Sequence, residues 1–261
     1  MVVITSTQRE VIFNAVQEMY TAVADQPDQT FHFPTGRPAC EYVGYPANQL
    51  DAIPATAVES FAGVGYPFAA DVIEAGDTVL DIGCGAGTDA LIAALETGPT
   101  GSVIGLDMTP AMRAKCLENA ARLGVSNVTV LDGNAEQIPL PDASVDVVTS
   151  NGVINLVPDK GAAIGEIFRV LRPGGRVQLA DIVVENMPSE ACRAQPQLWA
   201  ECIVGATTLE EYADLFLNTG FAVVERLDQR DYFAASSSES TRRTAGGFGA
   251  HSVVLRAVKA A

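Results

Sequence analysis

The chain has 261 residues, 48% of them hydrophobic, with 16 basic against 32 acidic side chains and a formal net charge of −16. That size and composition suit one globular α/β unit with an added segment and exclude a disordered chain, and the acidic balance disfavours nucleic acid and anionic membranes as partners. No run of about 18 apolar residues offers a transmembrane helix, no basic n-region marks Met1–Tyr20 as a signal peptide, and five scattered cysteines without a C-x-x-C pair predict reduced thiols in a cytoplasm.

Residues 6–24 place Val11, Ala15, Val16, Met19, Tyr20 and Val23 at helical spacing. The stretch from Asp25 to Pro46, with Pro27, Pro34, Gly36, Pro38, Gly44 and Pro46, reads as irregular, and two short helices are expected over 47–62. Strand and helix then alternate: strand 78–82, helix 88–97, strand 102–107, helix 110–123, strand 127–131, strand 145–150, helix 159–171 and strand 175–184. This alternation predicts a parallel sheet wound on both faces, with ligands beyond the carboxyl ends of its strands. Pro173-Gly174-Gly175 reads as a sharp helix-to-strand turn. An inserted helix is expected over 196–206 and a helix over 208–218 closed by Gly220. Strands 221–228 and 252–258 are expected to form an antiparallel hairpin joined by a Ser-rich loop, 235–248. Residues 1–70 thus form an N-terminal helical cap or lid, and 71–261 the ligand-binding core with an insertion over 186–206.

The most informative stretch is Val79-Leu-Asp-Ile-Gly-Cys-Gly-Ala-Gly-Thr-Asp89. A strand ends in an acid, and Gly83, Gly85 and Gly87 lead into a helix at Thr88 and Asp89. Such glycines permit a tight turn and close approach of a ligand, and the helix start presents free N–H groups to an anion. Asp81 would repel a dinucleotide pyrophosphate but attract the ammonium of an amino acid, which speaks against a nicotinamide enzyme. Asp107 ends the second strand, placed for both hydroxyls of a ribose. Met108 follows it, suited to an adenine face, and Asp132-Gly-Asn-Ala-Glu136 follows the third strand, with Asn134 and Ala135 at the adenine edge.

Three strand tips for three ligand pieces resemble the class I S-adenosylmethionine-dependent methyltransferases. That resemblance implies a Rossmann-like, seven-stranded, mostly parallel sheet and S-adenosylmethionine as cofactor. Further stretches resemble the arsenite methyltransferase branch: Glu59-Ser-Phe-Ala-Gly-Val-Gly65, Ser150-Asn-Gly-Val-Ile-Asn-Leu-Val-Pro-Asp-Lys160, Cys202-Ile-Val-Gly-Ala206 and Thr208-Leu-Glu-Glu-Tyr212. The cofactor half is shared with ubiquinone and menaquinone methyltransferases. In the arsenite branch, cysteines in both later stretches hold As(III) with a further N-terminal thiol. Here Gly152 stands at the first position while Cys202 remains, leaving Cys40 as the N-terminal candidate. Cys84 lies in the glycine turn, Cys116 is read as lying in a surface helix, and Cys192 reaches the site only if the intervening loop folds back.

The resemblance, with its missing cysteine, favours a small soft nucleophile as methyl acceptor: a thiol, sulfide or selenol, or arsenite itself. Soft thiolates suit soft acceptors, and such an acceptor needs an apolar slot rather than a metal-like cage. Cys202, Asn151 and Cys40 are the candidate catalytic residues, Asn151 also touching the cofactor. His32, His251 and Arg37 read as loop, strand-end and surface residues. Two other readings remain open: carbon or oxygen methylation of a quinone-like or polyketide-like metabolite, and a catalytically silent cofactor-binding module.

Overall fold

Thr5 accepts from the backbone of Gln8 while the Gln8 side chain returns the bond, a capping box that starts α1, Ser6–Asp25. The computed structural model describes residues 5–189, 192, 199 and 203–261. The stretch expected to be irregular contains a helix, α2 (Gly36–Val43), closed by Gly44 at φ 107°. Pro38 lies in its first turn, where a missing N–H leaves no helical bond unmade, so residues read as breakers are the helix's punctuation. Two short helices follow as expected, α3 (Ala47–Asp51) and α4 (Ala55–Val58), then a 3-10 turn, Pro67–Ala70.

The sheet has seven strands: β1 (Thr78–Ile82), β2 (Ser102–Asp107), β3 (Val128–Asp132), β4 (Val145–Asn151), β5 (Leu171–Val183), β6 (Phe221–Arg230) and β7 (His251–Lys259). Their order is β3-β2-β1-β4-β5-β7-β6, parallel except for β7, which runs antiparallel to both neighbours. Chain order reverses between β1 and β4, and the crevice beyond the carboxyl ends of these strands is where such folds bind ligands. The intervening helices are α5 (Thr88–Thr97), α6 (Pro110–Leu123), α7 (Lys160–Val170) and α8 (Leu209–Thr219). Gly220 at φ 114° closes α8.

Three further expectations are corrected. Leu171 already pairs with Val145 and the next pair is Arg176 with Val147, so Pro173-Gly174-Gly175 is an excursion within β5 rather than a turn before it. The Ser-rich loop carries a 3-10 turn, Tyr232–Ala235, and a helix, α9 (Glu239–Phe248), because Ser238 accepts from the Thr241 N–H as an N-cap. Of the expected helix 196–206, the described tail Ile203–Ala206 is a turn; the rest, apart from Trp199, lies outside the described residues.

One apolar core joins the N-terminal helices to the sheet: Ile12, Cys40, Leu50 and Phe68 share a buried cluster with Val79, Val147, Ala180 and Val254. A second cluster on the other face gathers Leu80, Val148 and Leu179 with Ile164, Tyr212 and Phe216. No helix among the described residues is long and apolar enough to cross a membrane.

Candidate functional site

The turn after β1 is held against β2: the N–H groups of Gly83 and Cys84 donate to Leu106 O at 2.7 and 3.1 Å, and Gly87 N–H closes on Cys84 O at 2.9 Å. Gly83 has φ 73°, and a Cβ there would lie 2.3 Å from Val153 Cγ2. Gly85, at φ 52°, meets nothing nearer than Met112 Sδ at 3.9 Å, so its open side faces the cleft. Gly87 does not line the cleft. Its expected ligand role is replaced by packing, since a Cβ would fall 2.9 Å from Cys116 Sγ, and Cys116 is fully buried rather than at the surface.

The cleft encloses a cavity of about 120 Å³. Asp81 lines it at 2% exposure, and its Oδ2 has no hydrogen-bond partner among the described residues. Burial and then the Asp89 charge hold its pKa well above the usual carboxylate range, opposed by the N–H of Ala90. Asp107 accepts from Gly85 N–H at 2.9 Å and from Thr109 N–H at 2.8 Å, fixing the carboxylate at the strand tip. Burial raises its pKa while those donors lower it. Leu106, Met108 and Met112 give the neighbouring wall its apolar character. Asn134 accepts from Glu136 N–H at 2.9 Å, and with Ala135 it forms the third wall. The three strand tips thus meet in one cleft, as expected.

The roof is α1, part of the N-terminal segment read as a cap or lid. Phe13, Val16 and Tyr20 face the cleft, and Gln17 Nε2 donates to Met108 O at 2.8 Å. Arg9 pairs with Glu136 and reaches Asp159 at 3.8 Å. The apolar period of α1 was visible in the sequence, but not which surface it would cover.

Opposite lies a polar knot. Asn151 Nδ2 sits 3.0 Å from each of Tyr45 Oη, Gly65 O and Asp89 Oδ2. Its Oδ1 accepts from Val64 N–H at 2.7 Å and Gly65 N–H at 3.2 Å. The Asn151 amide is therefore engaged by protein at both ends, and it anchors the 63–65 peptide rather than offering free donors to a ligand. Tyr45, unnoticed in the sequence, donates to Asp89. Burial pushes the Asp89 carboxyl up to about 6, against these two donors. Thr88 Oγ1 donates to Ala57 O at 3.0 Å, a second tie from the turn to the cap. Gly152, at φ 74°, lies beside Val64, whose Cγ1 would be 3.2 Å from an added Cβ.

Cys40 is corrected as a catalytic candidate: it is fully buried in α2, outside the cleft lining, and burial followed by the Asp89 charge drives its thiol pKa upward. Cys202 lies outside the described residues. Cys84 is the only cysteine among the described residues lining the cleft, which there has no lysine, arginine or histidine. No group of three or more His, Cys, Asp or Glu among the described residues is placed to hold a metal ion. Arg37 is a surface residue paired with Glu41 and Asp51, and His251 opens β7 with Nδ1 2.9 Å from Gly249 O.

Residues 73–229 match the family model described as a methyltransferase domain. The chain is 40% identical over 185 residues to an arsenite methyltransferase of Halobacterium salinarum, an alignment covering 71% of this chain and 47% of the relative. It is 36% identical over 116 residues to a demethylmenaquinone methyltransferase of Listeria monocytogenes, covering 44% of this chain and 49% of the relative. The chain thus spans about half the length of the curated relatives it matches. Among solved structures, an arsenic(III) S-adenosylmethionine methyltransferase from Chlamydomonas reinhardtii superposes with a TM-score of 0.64 at 29% identity, covering 87% of this chain and 75% of that one. The match over 73–229, the seven-stranded sheet and the three strand tips meeting in one cleft agree: the chain belongs to the S-adenosylmethionine-dependent methyltransferase domain family.

Proposed function

We propose that the chain methylates a small soft nucleophile, a thiol, sulfide or selenol, with arsenite at the margin of its range. The residues present fit S-adenosylmethionine: Asp81 carries a buried oxygen without a protein partner in the cleft, and Gly85 leaves its wall open where a side chain would intrude. Asp81 would face the cationic amino-acid end, Asp107 the ribose hydroxyls, and Met108, Met112 and Leu106 the adenine. The first N–H groups of α5 would take the carboxylate. When bound, S-adenosylmethionine would supply an activated methyl group: as an acceptor lone pair bonds to the methyl carbon in line, the carbon–sulfonium bond breaks and S-adenosylhomocysteine leaves.

The chain's own work is then alignment and exclusion of water. The Asn151 knot holds the 63–65 peptide and Asp89 in fixed relation, and α1 covers the adenosyl side. Both Asp89 oxygens are engaged by Tyr45 and Asn151, so the acceptor arrives with its lone pair already available, as a thiolate or selenolate does. The observation that carries the acceptor class is the Gly152–Val64 contact. Where the arsenite branch carries a thiol, this chain has a bare backbone against an aliphatic side chain, favouring a compact apolar acceptor over a caged metalloid.

A coupled assay of S-adenosylhomocysteine release across methanethiol, sulfide, selenite, arsenite and simple phenols tests this. A small thiol or sulfide should turn over best. Arsenite as the best substrate would return the chain to the chemistry of its 40% identical relative, and phenols as the best would favour a quinone-like acceptor.

A further inference from the structure

Asp81 is one end of a rank of polar side chains that crosses the middle of the sheet. In register, Asp81 of β1 lies beside Thr149 of β4, Thr149 beside Gln178 of β5, Gln178 beside Arg256 of β7, and Arg256 beside Glu225 of β6. Side chains opposite one another in register share a face, and with strands about 4.8 Å apart the rank from Asp81 to Arg256 is roughly 14 Å long. The adjoining ranks on this face include Val79 with Val147 and Ala180 with Val254, so an apolar rank would have served packing equally well. Phe68 and Ala70 of the 3-10 turn belong to the same cluster, and that turn packs over β4, β5 and β7 as a cover.

Thr149 and Gln178 are fully buried, and Asp81 is 2% exposed. Yet Asp81 Oδ2, Thr149 Oγ1, both amide atoms of Gln178 and Arg256 Nε have no hydrogen-bond partner among the described residues. A buried amide unmet at both ends beside an unmet hydroxyl and carboxylate is too unfavourable to keep dry. Sites of this kind, polar on several sides, hold ordered water. The outer end reaches the surface, where Arg256 Nη2 pairs with Glu225 at 2.7 Å.

We infer that Thr149 and Gln178 are positioning residues for the cofactor acid: they hold ordered water near the unpartnered oxygen of Asp81 and so keep that carboxylate anionic for a cationic ligand. The inference rests on the reading of Asp81 as the acid facing the cationic end of S-adenosylmethionine. The groups facing Asp81 do not supply the compensation: they are Asp89 from α5, Cys116 from α6 and Asp107 from β2, with Cys84 against Cys116, and the Ala90 N–H as donor. Burial disfavours the anion most, the charges of Asp89 and Asp107 add to it, and the described cleft lining contains no basic side chain. Water in the rank opposes that burden.

The test measures S-adenosylmethionine affinity by calorimetry between about pH 5 and about pH 9 for the native chain, Thr149→Val/Gln178→Leu and Asp81→Asn. Native affinity should fall on the acid side as Asp81 takes up a proton. In the double variant that fall should begin at higher pH by about half a unit, roughly threefold in affinity on the acid limb, with no change on the alkaline side. Thr149→Val alone gives a smaller shift should the double variant not fold, and Thr149→Ser, which keeps the hydroxyl, should restore the native profile. Superimposable profiles for native and variant chains, whatever their melting temperatures, overturn the inference. If Asp81→Asn flattens the acid limb while the double variant leaves it in place, the rank has no such role. If Asp81→Asn itself binds as the native chain does at every pH, the reading of Asp81 fails first.

Discussion

Asn151 Nδ2, at the end of β4, lies 3.0 Å from Asp89 Oδ2, in the first turn of α5, and 3.0 Å from Gly65 O. One amide therefore ties the turn after β1 to the cap peptide that borders the cleft. It also leaves Asp89 with a donor on each oxygen and little access to water.

That burial has a sign. The Asp89 carboxyl is pushed up to about 6 by burial, and so is that of Asp181, which accepts from Tyr212 Oη at 2.7 Å. A carboxyl raised above its unfolded value near about 4 contributes stability in full below that value, and loses it as pH climbs through the folded value. The joint contribution of these two groups to the ligand-free chain should decline between about pH 4 and about pH 6. Tyr45→Phe removes one donor to Asp89 and should extend the decline to higher pH. Denaturant titrations across that range check this, and an Asp89→Asn chain with the native pH dependence would contradict it.

Asp107→Ala removes the acid that accepts from Gly85 and Thr109 and faces the proposed ribose position. Losing charge-assisted hydrogen bonds of this kind costs about 1.5–3 kcal/mol, or roughly ten- to a hundredfold in S-adenosylmethionine affinity. Calorimetry with circular dichroism separates lost binding from lost folding. Unchanged affinity in a folded variant would show that the β2 tip does not hold the ribose.

Gly152 carries φ 74°, and Val64 Cγ1 lies 3.2 Å from where its Cβ would be. Gly152→Cys alone should therefore destabilise the chain by about 1–3 kcal/mol, the usual burden of a left-handed non-glycine residue. Gly152→Cys with Val64→Ala relieves the contact and should bind As(III) more tightly than the native chain, because it adds a thiolate at the acceptor end. Equal As(III) affinity in native and double variant chains would remove Gly152 from the account of acceptor choice.

Cys202→Ser should depress turnover on the preferred acceptor while leaving S-adenosylmethionine binding near native. Cys40→Ser should do the reverse of what the sequence suggested: a buried thiol outside the cleft lowers the melting temperature when replaced by a hydroxyl, with turnover per folded molecule retained. Native turnover in Cys202→Ser would class that thiol with Cys40.

The parallel strands and their polar tips were readable because β1, β2 and β4 are short, largely apolar runs with Asp81, Asp107 and Asn151 at or next to their ends, and glycine spacing signals a tight turn without help from distant residues. What escaped depended on partners far along the chain. Tyr45 and Asp89 meet across 44 residues, and Arg9 and Glu136 across 127. No local period reports such a meeting. Cys116 was read as lying in a surface helix, yet it sits on the face that Gly87 admits at close range. The helices α2 and α9 were hidden by residues that cap helices as readily as they break them, Gly44 and Ser238 among them.

The shared core bears on the order in which this chain becomes structured as it is made. The cap's Phe68 and Ala70 belong to the cluster that includes Val254 of β7, and β7 is also the strand between β5 and β6. Synthesis delivers the cap before His251–Lys259. Until β7 slots in antiparallel, β6 has no sheet to join and the earliest helices lack part of the surface that buries them. The nascent chain must therefore carry exposed apolar helices until β7 is made, and the insertion of that one strand completes the sheet and the cap's packing together.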